Sequence, residues 1–227
     1  MHGKGSTILF SEMTPHPSWE GEFNAWYDSE HIPLRMACPG FVSAQRYRAS
    51  IGASYLAVYE MGTPADLRTP QYAKVKGEPG ALTRRMLGGV TGFTRYIGTE
   101  IEWRMRPDLD ADPLAAPVLF AVLFQVPVGR RQAFDAWYGN EQLPLLLDCP
   151  DWWLIRRFAI VDGDPGAWTH LTLHYLGDRR ALESGARARA RAGAGRLRLA
   201  EEDWFRPEYL TFDRLGERQI ATAAGDG

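Results

Sequence analysis

Phe23-Asn24-Ala25-Trp26-Tyr27-Asp28-Ser29-Glu30-His31-Ile32-Pro33 recurs as Phe134-Asp135-Ala136-Trp137-Tyr138-Gly139-Asn140-Glu141-Gln142-Leu143-Pro144, an offset of 111. At the same offset Cys38-Pro39-Gly40-Phe41 matches Cys149-Pro150-Asp151-Trp152, and Arg46-Tyr47 matches Arg157-Phe158. Agreement over so many rare residue types reads as duplication of one folding unit. The stretch Arg106 to Pro117, with three prolines and three aspartates, marks the joint. The expected organisation is a first repeat over 1–106, a linker over 107–116 and a second repeat over 117–227.

Working outward from the repeated motif, each half gives the same order of elements. Ser6 to Met13 is an apolar run of strand type. Ser18 to Ile32 carries helical spacing in Trp19, Phe23, Trp26 and Tyr27, with Ser18 as expected N-cap and Glu20 and Glu22 where the helix dipole favours acids. Gly40–Arg48 and Ser54–Met61 alternate as strands do. A second helix is expected near Thr63, with Pro64 at its first position, and a last strand over Thr91–Trp103. The second half repeats this with Val118–Val126, Arg131–Leu147, Trp152–Val161, Trp168–Leu176, a helical stretch from Arg179 and a strand near Tyr209–Arg214. The fold class is therefore α+β: two tandem ferredoxin-like β-α-β-β-α-β units. A four-stranded sheet with both helices on one face leaves the other face bare. The expectation is that the two sheets cover each other as an internal pseudo-dimeric α/β barrel.

Composition sets the broad class. The chain of 227 residues is 45% hydrophobic and 24% charged, as globular proteins are. Its eight Trp, nine Tyr and ten Phe point to a core or pocket rich in flat rings. The net charge of −2 creates no field that calls for nucleic acid. No apolar run approaches the roughly 20 residues that span a bilayer, so no membrane partner is expected. The start Met1-His2-Gly3-Lys4-Gly5 lacks the apolar segment of a secretory signal. Two cysteines, Cys38 and Cys149, make no disulfide framework, and a cytoplasmic location is expected.

The run Ala25-Trp26-Tyr27-x-x-Glu30-His31-Ile32-Pro33, followed by Cys38-Pro39-Gly40-Phe41 and Arg46-Tyr47, resembles the dimeric α/β-barrel superfamily, in particular its EthD-like and muconolactone-isomerase-like branch. The second half resembles it too but departs at Gln142 and Asp151. The resemblance implies cofactor-free barrels that bind small hydrophobic or aromatic molecules between helix and sheet. Activities in the superfamily include lactone isomerisation, polyketide cyclisation, cofactor-free oxygenation of quinol-type substrates and haem chemistry.

Candidate chemistry centres on the first half. Pro33 lacks an amide hydrogen and its ring clashes with the Ser29 carbonyl, so the helix is expected to end or kink there. His31 would then lie at a helix C-terminus, where the dipole favours imidazolium, and could move protons near neutral pH. The plainer alternative is that His31 caps the helix end. Its counterpart Gln142 cannot titrate, so the second half is expected to be a structural copy. Tyr59 or Arg46 would polarise a carbonyl or hold an anionic oxygen; Arg157 repeats Arg46, so a structural ion pair with the repeated glutamate competes with that role. Trp26, Tyr27, Glu30, Tyr55 and Phe41 are the expected substrate-binding residues, with simple core packing as the alternative for Trp26. Tyr55 and Tyr59 share a strand face, as do His170 and His174, and either pair could line a cavity; the histidines lack a third metal ligand. The arginines between Arg179 and Arg198 read as a solvated helix face or a mobile segment, with binding of phosphate or an acidic partner as the alternative. The expected function is a cofactor-independent isomerase or cyclase acting on a small cyclic or aromatic metabolite, with His31 as acid/base. A non-catalytic small-molecule binder or a cofactor-free monooxygenase is the alternative. No metal or cofactor is expected, and the halves pair with each other or across a homodimer.

Overall fold

The computed structural model describes residues 3–221. The chain divides into two compact units: Met1–Thr99 with Asp162–Pro165 and Leu215–Gly227, and Glu100–Val161 with Gly166–Arg214.

In the first unit, β1 (Thr7–Thr14), β2 (Phe41–Ala49), β3 (Tyr55–Met61) and the first part of β4 (Thr91–Met105) form an antiparallel sheet in the order β4-β1-β3-β2. All seven residues of β3 are buried, so both of its faces are covered. Glu60 is the acid among them, and its Oε2 accepts a hydrogen bond from the Gly5 amide at 3.0 Å.

The leading helix differs from expectation in an instructive way. It begins as α1 (Glu20–Trp26), widens into a π turn over Tyr27–His31, and continues as α2 (Ile32–Met36). Pro33 neither ends nor breaks it. The wide turn makes the Ile32 amide bond to the Tyr27 carbonyl, five residues back. That extra residue relieves the crowding a proline ring would impose on a regular α-turn. His31 accordingly lies inside the helix, not at its C-terminus.

Helix starts also shift. Ser18 is not the N-cap: its amide donates to His16 Nδ1 at 3.2 Å, and Trp19 occupies the cap position without a side-chain bond. Thr63 closes a capping box with Asp66, but over a 3₁₀ turn (Pro64–Arg68). The helix proper, α3 (Pro70–Gly77), starts after Thr69, and α4 (Ala81–Gly89) follows.

The second unit repeats the plan. β5 (Val118–Phe124), the first part of β6 (Trp152–Asp164), β7 (His170–Leu176) and the first part of β8 (Glu208–Ile220) are ordered β8-β5-β7-β6, all antiparallel. Its leading helix is again α5 (Arg131–Trp137), a π turn over Tyr138–Gln142, and α6 (Leu143–Leu147), with Pro144 just inside α6. The arginine-rich stretch folds as α7 (Gly185–Ala192) and α8 (Ala194–Ala200), parted by Gly193. Ala186 and Ala190 are buried on the inner face of α7.

Candidate functional site

The π turns decide which side chains face each sheet. In the first unit the turn places Tyr27 and His31 over β2 and β3. His31 is 3% exposed, and its ring centre lies 4.3 Å from Trp26 and 4.6 Å from Tyr27. Those separations leave no room for a ligand between the rings. Its Nδ1 has no hydrogen-bond partner. Burial, helped by the positive charges of Arg35 and Arg46, pushes its pKa down to about 2. The helix-end argument for imidazolium is thereby overturned: His31 is neutral at physiological pH.

The other expected site residues gather in the same cluster, mostly through packing and local hydrogen bonds. Phe41 meets Tyr59 edge-on at 5.9 Å, and burial raises the Tyr59 pKa well above its usual value. Arg46 stacks over Tyr27 at 4.5 Å and donates to Asp28 at 2.8 Å and Asn24 Oδ1 at 2.5 Å. The ion pair is with Asp28 instead of Glu30, because Asp28 is the acid whose position on the helix brings it to β2. Trp26 Nε1 donates to Thr83 at 3.1 Å, and the Thr83 hydroxyl donates to Glu30 at 2.7 Å, tying the helix to α4. Tyr55 donates to Glu20 at 2.5 Å.

The second unit contains a cavity beneath its π turn. It encloses about 430 Å³ including its mouth, of which about 40 Å³ admits the centre of a water molecule. That is room for a few waters; a ring-sized ligand would have to move the side chains at the mouth. Phe120, Val122, Phe124 and Leu146 make apolar walls, Trp137, Tyr138, Gln142, Trp152 and His174 supply polar atoms, and Arg187, Arg191 and Arg196 stand around it. None of the lining residues is Asp or Glu.

Its polar groups form a directed chain. Trp152 Nε1, which can only donate, gives its hydrogen to His174 Nδ1 at 3.0 Å. Neutral His174 must then carry its proton on Nε2, which donates to the Tyr138 oxygen 3.2 Å away. Burial, with the Arg187 and Arg157 charges, lowers the His174 pKa to about 3. Burial raises Tyr138 to about 12 against the opposing pulls of Thr172 and Arg157. The Arg157 guanidinium stacks 4.5 Å from the Tyr138 ring centre. Tyr138 is therefore a protonated phenol, backed by a histidine N–H and a cation that favour its oxygen becoming negative.

Two further atoms are unsatisfied, the Trp137 Nε1 donor and the Gln142 Oε1 acceptor. In the first unit the matching tryptophan is satisfied by Thr83. Here Gly195 packs against the indole, and a Cβ at that position would lie 2.5 Å from Trp137 Cδ1 and 2.5 Å from Glu141 Oε2. Glu141 is occupied in accepting the Gly195 amide at 3.0 Å. No hydroxyl reaches the indole, and its N–H is buried without a partner. Sequence reasoning passed over Tyr138, Trp137 and Gln142 as site residues; of the pair His170 and His174, which it offered as possible cavity lining, His174 lines this cavity. The arginines also differ from expectation, since Arg187 and Arg196 are half-buried at the cavity instead of solvated.

Buried neutral histidines make stability acid-sensitive. His31 and His174 have folded pKa values of about 2 and about 3, below the ordinary 6.5. The unfolded chain thus binds more protons below about pH 6.5, and stability falls as pH drops through that window. The expected slope is about 1.4 kcal/mol per pH unit for each histidine. Urea unfolding at pH 7, 6 and 5 measures it, and equal stability at pH 6 and pH 5 would contradict the burial of both rings.

No family model matches the chain, and no curated protein matches it. Solved structures do match in fold. One is described as an anthrone oxidase-like protein, with a TM-score of 0.67 and 15% identity, covering 97% of this chain and 96% of the other. A chlorite dismutase variant from Candidatus Nitrospira defluvii gives 0.60 and 11%, covering 93% and 92%. A proposed monooxygenase from Fusobacterium nucleatum gives 0.59 and 7%, covering 95% of each. The chain shares the α+β architecture of these proteins. At fold level this is consistent with the dimeric α/β-barrel superfamily that the sequence resembles.

Proposed function

We propose that the chain is a cofactor-independent enzyme acting on a small cyclic or aromatic metabolite, with its reaction centre in the cavity of the second unit. The observation that carries this is the Trp152–His174–Tyr138 chain ending on a protonated phenol in an apolar cavity with two unsatisfied polar atoms. Such a phenol serves as a fixed donor to an oxygen that gains negative charge during reaction. Isomerisation, cyclisation and oxygenation of a quinol-type ring all develop such an oxygen. Because no carboxylate lines the cavity and His174 Nδ1 is occupied, the substrate's own acidity has to provide the anion. That favours the oxygenase-type alternative over base-driven isomerisation, and oxygen consumption with quinol-like substrates distinguishes them.

Haem chemistry does not fit this cavity. Both nitrogens of His174 are engaged, which leaves neither to ligate an iron.

The reading extends to the architecture. The two sequence repeats, over 1–106 and 117–227, are tandem copies of one EthD-like ancestor; the matching order of strands and the matching π turns of the two leading helices support this.

A second reading keeps the reaction at His31, favoured by its unpartnered Nδ1, with Tyr59 and Arg46 as its partners. Replacing His31 with glutamine, the residue the second half carries at the matching position, separates the two. Turnover with a panel of quinols and cyclic ketones should stay within about twofold of the parent; a loss of about 10² or more would return the acid/base role to His31.

A further inference from the structure

Resting on the second-unit reaction centre, we infer that its substrate is an aromatic carboxylate, seated with its charge on Arg187, Arg191 and Arg196 and its ring against the apolar wall. Three arginines line one small cavity whose lining holds no acid. The neighbouring arginine on α7, Arg189, is by contrast paired with Asp148 at 3.0 Å. Arg187 lies 5.5 Å from the Phe120 ring centre and spends one N–H on the Leu182 carbonyl at 2.5 Å, so its fork is held but not neutralised. Arg196 lies 4.6 Å from the Phe205 ring centre. Burial and the nearby charge of Arg191 both disfavour the charged form of Arg187. A bound anion relieves that repulsion, and a bidentate carboxylate matches the guanidinium fork.

The rest of the ligand follows from the walls. Phe120 and Tyr209 stack with centres 5.7 Å apart and planes 8° from parallel, giving the cavity an aromatic wall for a ring to pack against. Trp137 Nε1 and Gln142 Oε1 are buried and unpartnered beside the cavity, so a ligand that moves the side chains at its mouth can satisfy both with a ring hydroxyl.

Titration calorimetry with benzoate, 4-hydroxybenzoate and their uncharged amides tests this on the intact chain. The acids should bind at least about tenfold more tightly than the amides at low salt, and added salt should weaken only the acids. Arg191→Gln, at an exposed position, and the Arg191→Gln/Arg196→Gln pair should reduce that preference stepwise. Amides that bind as well as the acids, or a preference that survives in the double variant, would overturn the inference and leave the reaction centre standing. Phenyl phosphate binding more tightly than benzoate would replace the carboxylate by a phosphate. Binding of neither acids nor amides would overturn both this inference and the reaction centre.

Discussion

Tyr138→Phe is expected to cut turnover by about 10²- to 10³-fold with little change in fold, whereas Tyr27→Phe at the matching first-half position should change it less than about twofold. The size follows from removing one prepositioned donor to a developing oxyanion. The asymmetry follows from what surrounds each hydroxyl. Tyr138 is backed by the His174 Nε2–H and opens on a cavity. Tyr27, as buried as Tyr138, faces Tyr59 within a packed cluster that includes the His31 ring. The phenylalanine variant keeps the ring under Arg157, so the cation–π contact survives and only the hydroxyl is lost. Steady-state rates for both variants check the claim. Comparable losses in the two would mean that the halves share the chemistry, and a loss confined to Tyr27→Phe would move it to the first unit.

The largest stability effect is expected at Arg157. Its side chain is 4% exposed and bonds to Glu102 at 3.0 Å and to Asp135, whose side chains are 17% and 40% exposed. Arg157→Met keeps the stem volume but leaves two carboxylates partly buried beside an apolar group. Breaking a buried pair from one side costs about 3–5 kcal/mol, and for a chain of this size that lowers Tm by about 10 °C. Arg46→Met is the informative comparison. Its partner Asp28 is 58% exposed and can rehydrate, so the cost should be smaller by about 1–2 kcal/mol. Calorimetric melts of both variants measure the difference; equal losses would mean that the acids around Arg157 are not what makes it costly.

Much of the architecture was legible in the chain because the matching Trp-Tyr, Glu and Pro positions impose the same helix on both halves, and alternating apolar residues fix the strands. The π turns were not legible. Pro33 and Pro144 look like helix ends from local rules, and only the five-residue bond from Ile32 to Tyr27 reveals that the helix absorbs the proline. The site was misplaced for a related reason. His31 stands out as a titratable residue and Gln142 does not, yet what matters is the space around each. The decisive difference, Thr83 bonding to Trp26 while Gly195 faces Trp137, is hidden because the halves lose their common spacing after β6. The arginines of α7 and α8 read as a solvated face since helix periodicity cannot say which side meets a cavity.

A crystal structure of the chain soaked with 4-hydroxybenzoate tests the central claim most directly. Density for the ring in the second unit, with its hydroxyl within hydrogen-bond distance of Tyr138 or Trp137, is the predicted result. Density beside His31 in the first unit, with the second-unit cavity empty, would contradict it.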